Sequence, residues 1–231
     1  MSLLTESVRV SDVLLFEEGE EMNYVRDQIT LISGGAACVV GQVLGQITVG
    51  AATSAAKSGG NTGNGTCVVD ATNPTLINAV AGVYTVRCTV AGTNSATFLV
   101  VDPNGLSLGT CSLSGSGGTA SFADRIKFVI TDGATDFIVG DGFDVTVPAG
   151  SLKWTQVAPA ANDGSAVAAG VCILAGNPAS ADVVSVAVVR GPAILKTSNL
   201  AWTSGMTTNQ KTAALAQLAK LGITSRTDYG A

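Results

Sequence analysis

The sequence predicts a mainly β protein in which one discontinuous β domain, carrying a short C-terminal helix, is interrupted by an immunoglobulin-like β-sandwich. Three observations carry that expectation. Of 231 residues, 46% are hydrophobic, only 13% are charged and 28 are glycine, a composition suited to short strands joined by tight turns. Two stretches read as linkers, "VGAATSAAKSGGNTGNG" at 49–65 and "VPAGS" at 147–151, because Gly, Ala, Ser, Thr and Asn leave almost nothing to bury. The segment between them has the size of one small domain, and the whole chain has room for two cores.

Taken in order, "SVRVSDVLLF" has strand character through Val8, Val10, Val13 and Leu15, within residues 1–16, which the family resemblance given below marks as an arm preceding the first domain. The acidic cluster Glu17, Glu18, Glu20 and Glu21 reads as a solvated turn, with a metal or basic-partner site as the alternative. "NYVRDQITLISG" has strand composition. The interrupting domain, 60–148, opens its strand series with "AGVYTVRCTVAG", where Tyr84, Val86, Cys88 and Val90 alternate against Val83, Thr85, Arg87 and Thr89 and so face the core. "ATFLVVDPNG" ends in a turn whose Pro103 presets φ and whose Gly105 tolerates positive φ.

"TDGATDFIVGDGFDVTV" closes the series. Its Asp132-Gly133 and Asp141-Gly142 pairs read as hairpin turns, with Phe137 and Val139 on one inward face and Phe143, Val145 and Val147 on another. The first domain resumes over 150–231, joining its earlier part at 17–49. "NDGSAVAAGVCILAG" places a turn before an apolar strand, and "ADVVSVAVVRGPAIL" has strand composition. "TTNQKTAALAQLAKLG" is the exception, with Ala214, Leu215, Leu218 and Leu221 on one helical face, a Thr207 to Gln210 capping-box spacing and a stop at Gly222.

The composition excludes much chemistry. There is no histidine, which removes Ser-His-Asp and Cys-His nucleophiles, imidazole metal ligands and the usual neutral-pH proton shuttle. Cys38, Cys67, Cys88, Cys111 and Cys172 form no C-x-x-C pair and are expected as free, largely buried thiols, with a Cys67–Cys88 bridge as the alternative. Net charge is -5 with no basic run, so nucleic acid is not an expected partner. No window approaches the roughly 18 apolar residues of a membrane span, and the first 20 residues lack the pattern of a secretion signal.

Asp132, Asp136, Asp141 and Asp144 do not follow the EF-hand spacing, and "GDGFDVT" is one copy of a glycine-aspartate repeat that binds calcium only in tandem. Calcium near Asp141 and Asp144 stays open. A paired-carboxylate hydrolase lacks sugar platforms in a chain that is 5% aromatic. No cofactor and no enzymatic activity are expected. Trp154 and Trp202 offer large apolar area and no reactive group, which suits core or subunit-interface packing.

"ITLISGGAACVVGQVLGQIT" (29–48), "NDGSAVAAGVCILAG" (162–176) and "VVRGPAILKTSNLAWTSGMTTNQKTAALAQLAKLGITSR" (189–226), in that order, resemble the phage head decoration protein D family, the lambda-type capsid-stabilising proteins. The interrupting segment resembles a β-sandwich module inserted in phage structural proteins. The resemblance implies a cementing protein of the virion that sits as a homotrimer on the outer surface of the head and holds major capsid proteins together. It also implies that the N-terminal arm, here Val8, Val10, Val13 and Leu15, pairs with capsid strands by β-augmentation. An alternative is that the inserted sandwich attaches weakly to glycans or a host surface.

Overall fold

The computed structural model describes residues 8–19 and 24–227. The chain divides into two compact units: 1–47, 152–161 and 165–231 form the first, and 48–151 with 162–164 the second. In the first unit, a single helical turn, α1 (Val10–Val13), leads into β1 (Leu14–Glu17), followed by β2 (Arg26–Leu31) and β3 (Val43–Gln46).

The second unit contributes β4 (Thr53–Ala56), β5 (Thr66–Val69), β6 (Gly82–Gly92), β7 (Ser95–Val101), β8 (Ser107–Ser114), β9 (Thr119–Ala123), β10 (Lys127–Thr131) and β11 (Gly142–Val147). These make a three-stranded sheet, β5-β10-β9, and a five-stranded sheet, β4-β11-β6-β7-β8. Alternation explains the shared core: Tyr84, Val86, Phe98, Val100, Phe128, Ile130, Phe143 and Val145 all point inward from one sheet or the other. Phe98 sits among Phe137, edge-on at 5.1 Å, and Phe143 at 6.4 Å, while Phe122 stacks on Phe128 at 5.4 Å. The Tyr84 hydroxyl accepts from the Val80 N–H at 2.9 Å, which satisfies the polar end of a fully buried ring.

Three expectations for this unit need correction. The stretch 49–65 is not a bare linker, because Thr53–Ala56 pairs along β11, Phe143 opposite Ala56 and Thr146 opposite Thr53. Val90 is 61% exposed, because the β6–β7 register slips between Cys88 and Val90 and the extra residue reverses the parity of the rest of the strand. Asp132-Gly133 and Asp141-Gly142 are not hairpin turns, and Phe137 and Val139 lie outside any strand. Phe137 is buried and Val139 is 64% exposed, so they share no face. The turn instead spans Ile138 to Asp141, with the Asp141 N–H bonded to the Ile138 carbonyl and Gly140 at φ 93°. Gly142 opens β11 where a Cβ would stand 2.0 Å from the Val86 carbonyl oxygen.

The chain returns to the first unit with β12 (Trp154–Gln156), β13 (Ala168–Cys172), β14 (Val183–Val188), β15 (Ala193–Lys196), α2 (Thr208–Lys220) and β16 (Ile223–Arg226). The order β12-β2-β14-β13-β3 closes into a barrel, since β12 pairs with both β2 and β3. Ile29, Leu31, Leu44, Trp154, Cys172 and Ala187 fill one part of its core. A separate three-stranded sheet runs β1-β15-β16.

α2 buries Ala214 and Leu218 and rests Leu215 against the core, while Leu221, at its C-cap, is 40% exposed. Its capping box forms: Thr207 Oγ1 accepts from the Gln210 N–H, and Gln210 Oε1 accepts from the Thr207 N–H at 2.9 Å. Gly222 takes φ 79° beyond the last turn. Thr207→Ala should therefore lower stability by about 1 kcal/mol, read as a lower urea midpoint at unchanged slope. Thr207→Ser should restore most of it.

All five cysteines are free, and the Cys67–Cys88 bridge does not form. Burial pushes the Cys67 thiol up to about 12, against the lowering effect of Ser54, and pushes Cys38 and Cys111 up to about 11. Such thiols are protonated, and so poor nucleophiles, at neutral pH.

Candidate functional site

Residues 1–7 of the expected arm lie outside the described residues, as do Glu20 and Glu21. The remainder of the arm belongs to the first unit's own fold. α1 is a helical turn where strand was expected: the Arg9 N–H donates to Asp12 Oδ2 at 2.9 Å, and Asn199 Nδ2 donates to the Asp12 carbonyl at 2.8 Å. This local capping by Asp12 competes successfully with the strand preference of Val10 and Val13. Val13 is fully buried and Val10 packs against the same core, so neither is a free arm residue.

β1 continues the segment as an edge strand whose one neighbour among the described residues is β15, with Leu14 opposite Leu195, Phe16 opposite Ile194 and Glu17 opposite Ala193. The register slips between Leu14 and Phe16, leaving Leu15 as the extra residue. A regular strand would turn one of two consecutive side chains inward. Here Leu15 and Phe16 are 47% and 50% exposed, side by side, with Val8 at 46% a few residues earlier. Leu14 faces the core.

Val10, Ser11, Leu14, Leu15, Phe16, Glu17 and Arg26 line a groove of about 380 Å³ along this edge. Within this lining the Arg26 guanidinium grasps the Glu17 carboxylate with two donors, Nε at 2.8 Å and Nη2. Glu17 is thus an internally paired charge, while Glu18 comes next in a turn, its N–H bonded to the Pro192 carbonyl at 3.1 Å. Phe16 and Arg26 were missed as surface residues from sequence. The available signal was the run Leu14-Leu15-Phe16, three large apolar residues where a half-buried strand needs only alternate ones.

The tryptophans separate. Trp154 is buried in the barrel, its backbone paired to Gln46 and Leu31. Trp202 is half-buried, with Lys211 Nζ 6.0 Å from its ring centroid. The Thr203 hydroxyl beside it donates to the Val157 carbonyl, and residues 158–160 and 203–206 with Gln210 enclose a second groove of about 290 Å³.

Asp141, Asp136 and Asp144 of the second unit are spent on structure. Asp141 is 3% exposed and accepts from the N–H groups of Thr62 at 3.0 Å, Gly63 at 2.9 Å and Ile138 at 3.1 Å. Burial raises its pKa, but the N–H donors of Gly63, Thr62 and Ile138, with the charge of Lys57, outweigh this and hold the carboxyl below its ordinary value. Asp136 accepts from the Asn94 N–H at 2.8 Å, and Asp144 pairs with Arg87. Asp132 differs: it is buried, its backbone N–H donates to the Gly118 carbonyl, and its carboxylate Oδ2 has no hydrogen-bond partner among the described residues. Among the described residues no group of three or more His, Cys, Asp or Glu side chains could hold a metal ion. All six aromatic rings of this unit, Tyr84, Phe98, Phe122, Phe128, Phe137 and Phe143, are buried, so none is a platform for a sugar face.

Two crystal structures of Xanthomonas campestris FlgL align with 50% of this chain at 21% identity, with TM-scores of 0.30 and 0.29. The chain covers about a third of those proteins (34% and 33%), and a likeness of that size carries no inference. No curated protein matches the chain. A family model, by contrast, matches residues 3–223, which includes the β1 edge, the barrel, the second unit and α2. The chain belongs to the bacteriophage lambda head decoration protein D family.

Proposed function

We propose that this protein is a capsid cement: a homotrimer that binds the outer surface of a phage head and stabilises it, attached through its N-terminal segment. Family membership supports a structural role in head decoration, a place on the virion capsid and contact with capsid protein. The observation that carries the attachment reading is the β1 edge. It presents Leu15 and Phe16 to solvent beside a groove and, among the described residues, has one side without a paired strand, the combination that receives an added strand. Three such edges per trimer multiply a modest single contact into tight attachment.

Deleting residues 2–15 would be a poor test, since it removes Val13 from the core. Substituting exposed positions is cleaner. Val8→Asp and Leu15→Asp should each weaken co-sedimentation with undecorated heads about tenfold or more, since burying a leucine contributes roughly 1.5–3 kcal/mol. Light scattering should show the variants still trimeric. Unchanged binding by the Leu15→Asp protein would sink the attachment reading; a monomeric wild-type protein would sink the trimer. Glycan attachment by the second unit has no observation in its favour, its aromatic rings being buried.

A further inference from the structure

We propose that Asn104 is a site of spontaneous deamidation, and that its conversion to isoaspartate undoes the turn joining β7 to β8. The chain has two Asn-Gly dipeptides, Asn64-Gly65 and Asn104-Gly105. In both, the glycine nitrogen can attack the asparagine Cγ once its proton passes to hydroxide. The new C–N bond closes a five-membered imide as the side-chain nitrogen leaves as ammonia. Water then opens the ring at either carbonyl and leaves aspartate or isoaspartate. Water enters, ammonia departs, and nothing is oxidised or reduced.

Ring closure requires the glycine nitrogen to swing onto the side chain, and the two sites differ in the space for it. Nothing lies within 4 Å of the point where a Cβ on Gly105 would stand. At Gly65 the same point falls 2.3 Å from Phe137 Cζ and 2.6 Å from the Thr131 carbonyl oxygen, so that residue is clamped. The Asn64 amide is clamped too, its Oδ1 accepting from the Thr135 N–H at 2.8 Å. Asn104 is exposed, and its side chain has no hydrogen bond among the described residues. The one restraint on the reacting nitrogen among the described residues is the Gly105 N–H bond to the Asp102 carbonyl at 3.0 Å, at an exposed hairpin tip where local opening is cheap.

The product matters because of what the turn holds. Asp102 Oδ1 accepts from the N–H groups of Asn104 and Leu106 at 2.9 and 2.8 Å, and the Asp102 N–H meets the Leu106 carbonyl at 2.9 Å. An isoaspartate routes the main chain through the side chain of residue 104 and lengthens the link to Gly105, so that the Gly105 and Leu106 bonds back to Asp102 no longer span the turn. It also sets a second carboxylate beside Asp102, whose side chain is 1% exposed and paired with Arg125 at 2.6 Å. The proposal does not depend on the capsid reading.

The test ages the folded, full-length protein in mildly alkaline buffer, labels isoaspartate by enzymatic methylation and digests with trypsin. Asn104 falls in peptide 88–125 and Asn64 in peptide 58–87. Label should accumulate in 88–125 at least several-fold faster than in 58–87, and Asn104→Gln, which would need a larger ring, should abolish it. Chain unfolded in urea should label both. Equal or faster labelling of 58–87 in folded protein, or an unlabelled 88–125 peptide when unfolded chain is labelled there, overturns the proposal.

Discussion

Phe98→Ala should cost about 3–5 kcal/mol, a large share of the roughly 5–15 kcal/mol that holds a domain of this kind together. Phe98 is fully buried on β7 and is the ring that Phe137 meets edge-on and Phe143 meets at a tilt. Its removal leaves a cavity that two aromatic neighbours cannot fill without abandoning their own contacts. Hydrogen exchange is the measurement of choice. Amides of β6 and β7 should lose most of their protection, while Trp154 and Trp202, both in the first unit, report that unit separately by fluorescence. Native-like protection of β7 in the variant would show that the aromatic cluster is not the centre of this core.

Asp141→Ala should cost about 3 kcal/mol, because it removes the acceptor of three backbone N–H groups, the one on Gly63 buried. Asp141→Asn retains one acceptor oxygen and should cost less. The same carboxylate gives a pH dependence with a definite sign. Its pKa is depressed in the folded state, so its contribution is fully present above the ordinary aspartate value and is lost as pH falls through the lower, folded value. The wild-type urea midpoint should therefore decline on acidification, and the part due to Asp141 should vanish from the difference between wild type and Asp141→Ala. A difference that stays constant into the acid range would refute this role.

What was legible in the sequence was what local pattern decides. α2 was readable because its signals, the Thr207–Gln210 box, the spacing of Ala214 and Leu218, and Gly222, all act within a few residues of one another. β6, β7 and β11 were readable from alternation, and Val90 failed only past the slip, which no period-2 pattern reveals. Long-range pairing hid the rest. β4 looked like linker because what makes it a strand is β11, some ninety residues onward. Asp141-Gly142 looked like a turn because Asp-Gly usually is one, whereas this carboxylate is recruited by donors at Thr62 and Gly63.

At the surface, Leu15 was named from sequence and is exposed, but Val10 and Val13 are drawn into the fold by a helical turn whose anchor, Asn199, is distant in sequence. Trp154 and Trp202 were indistinguishable as letters. One became barrel filling and the other a half-covered ring under a lysine.

The ends of the second unit have a further consequence. Val49 bridges Ala149, the Gly50 N–H meets the Pro148 carbonyl at 2.9 Å, and the Gly150 N–H meets the Thr48 carbonyl at 2.9 Å. The chain thus leaves and re-enters on two adjacent, mutually bonded segments. That pair is a ready-made socket: a foreign domain whose own termini are antiparallel neighbours could be spliced between Val49 and Ala149 without stretching either junction, making this protein a chassis for displayed cargo.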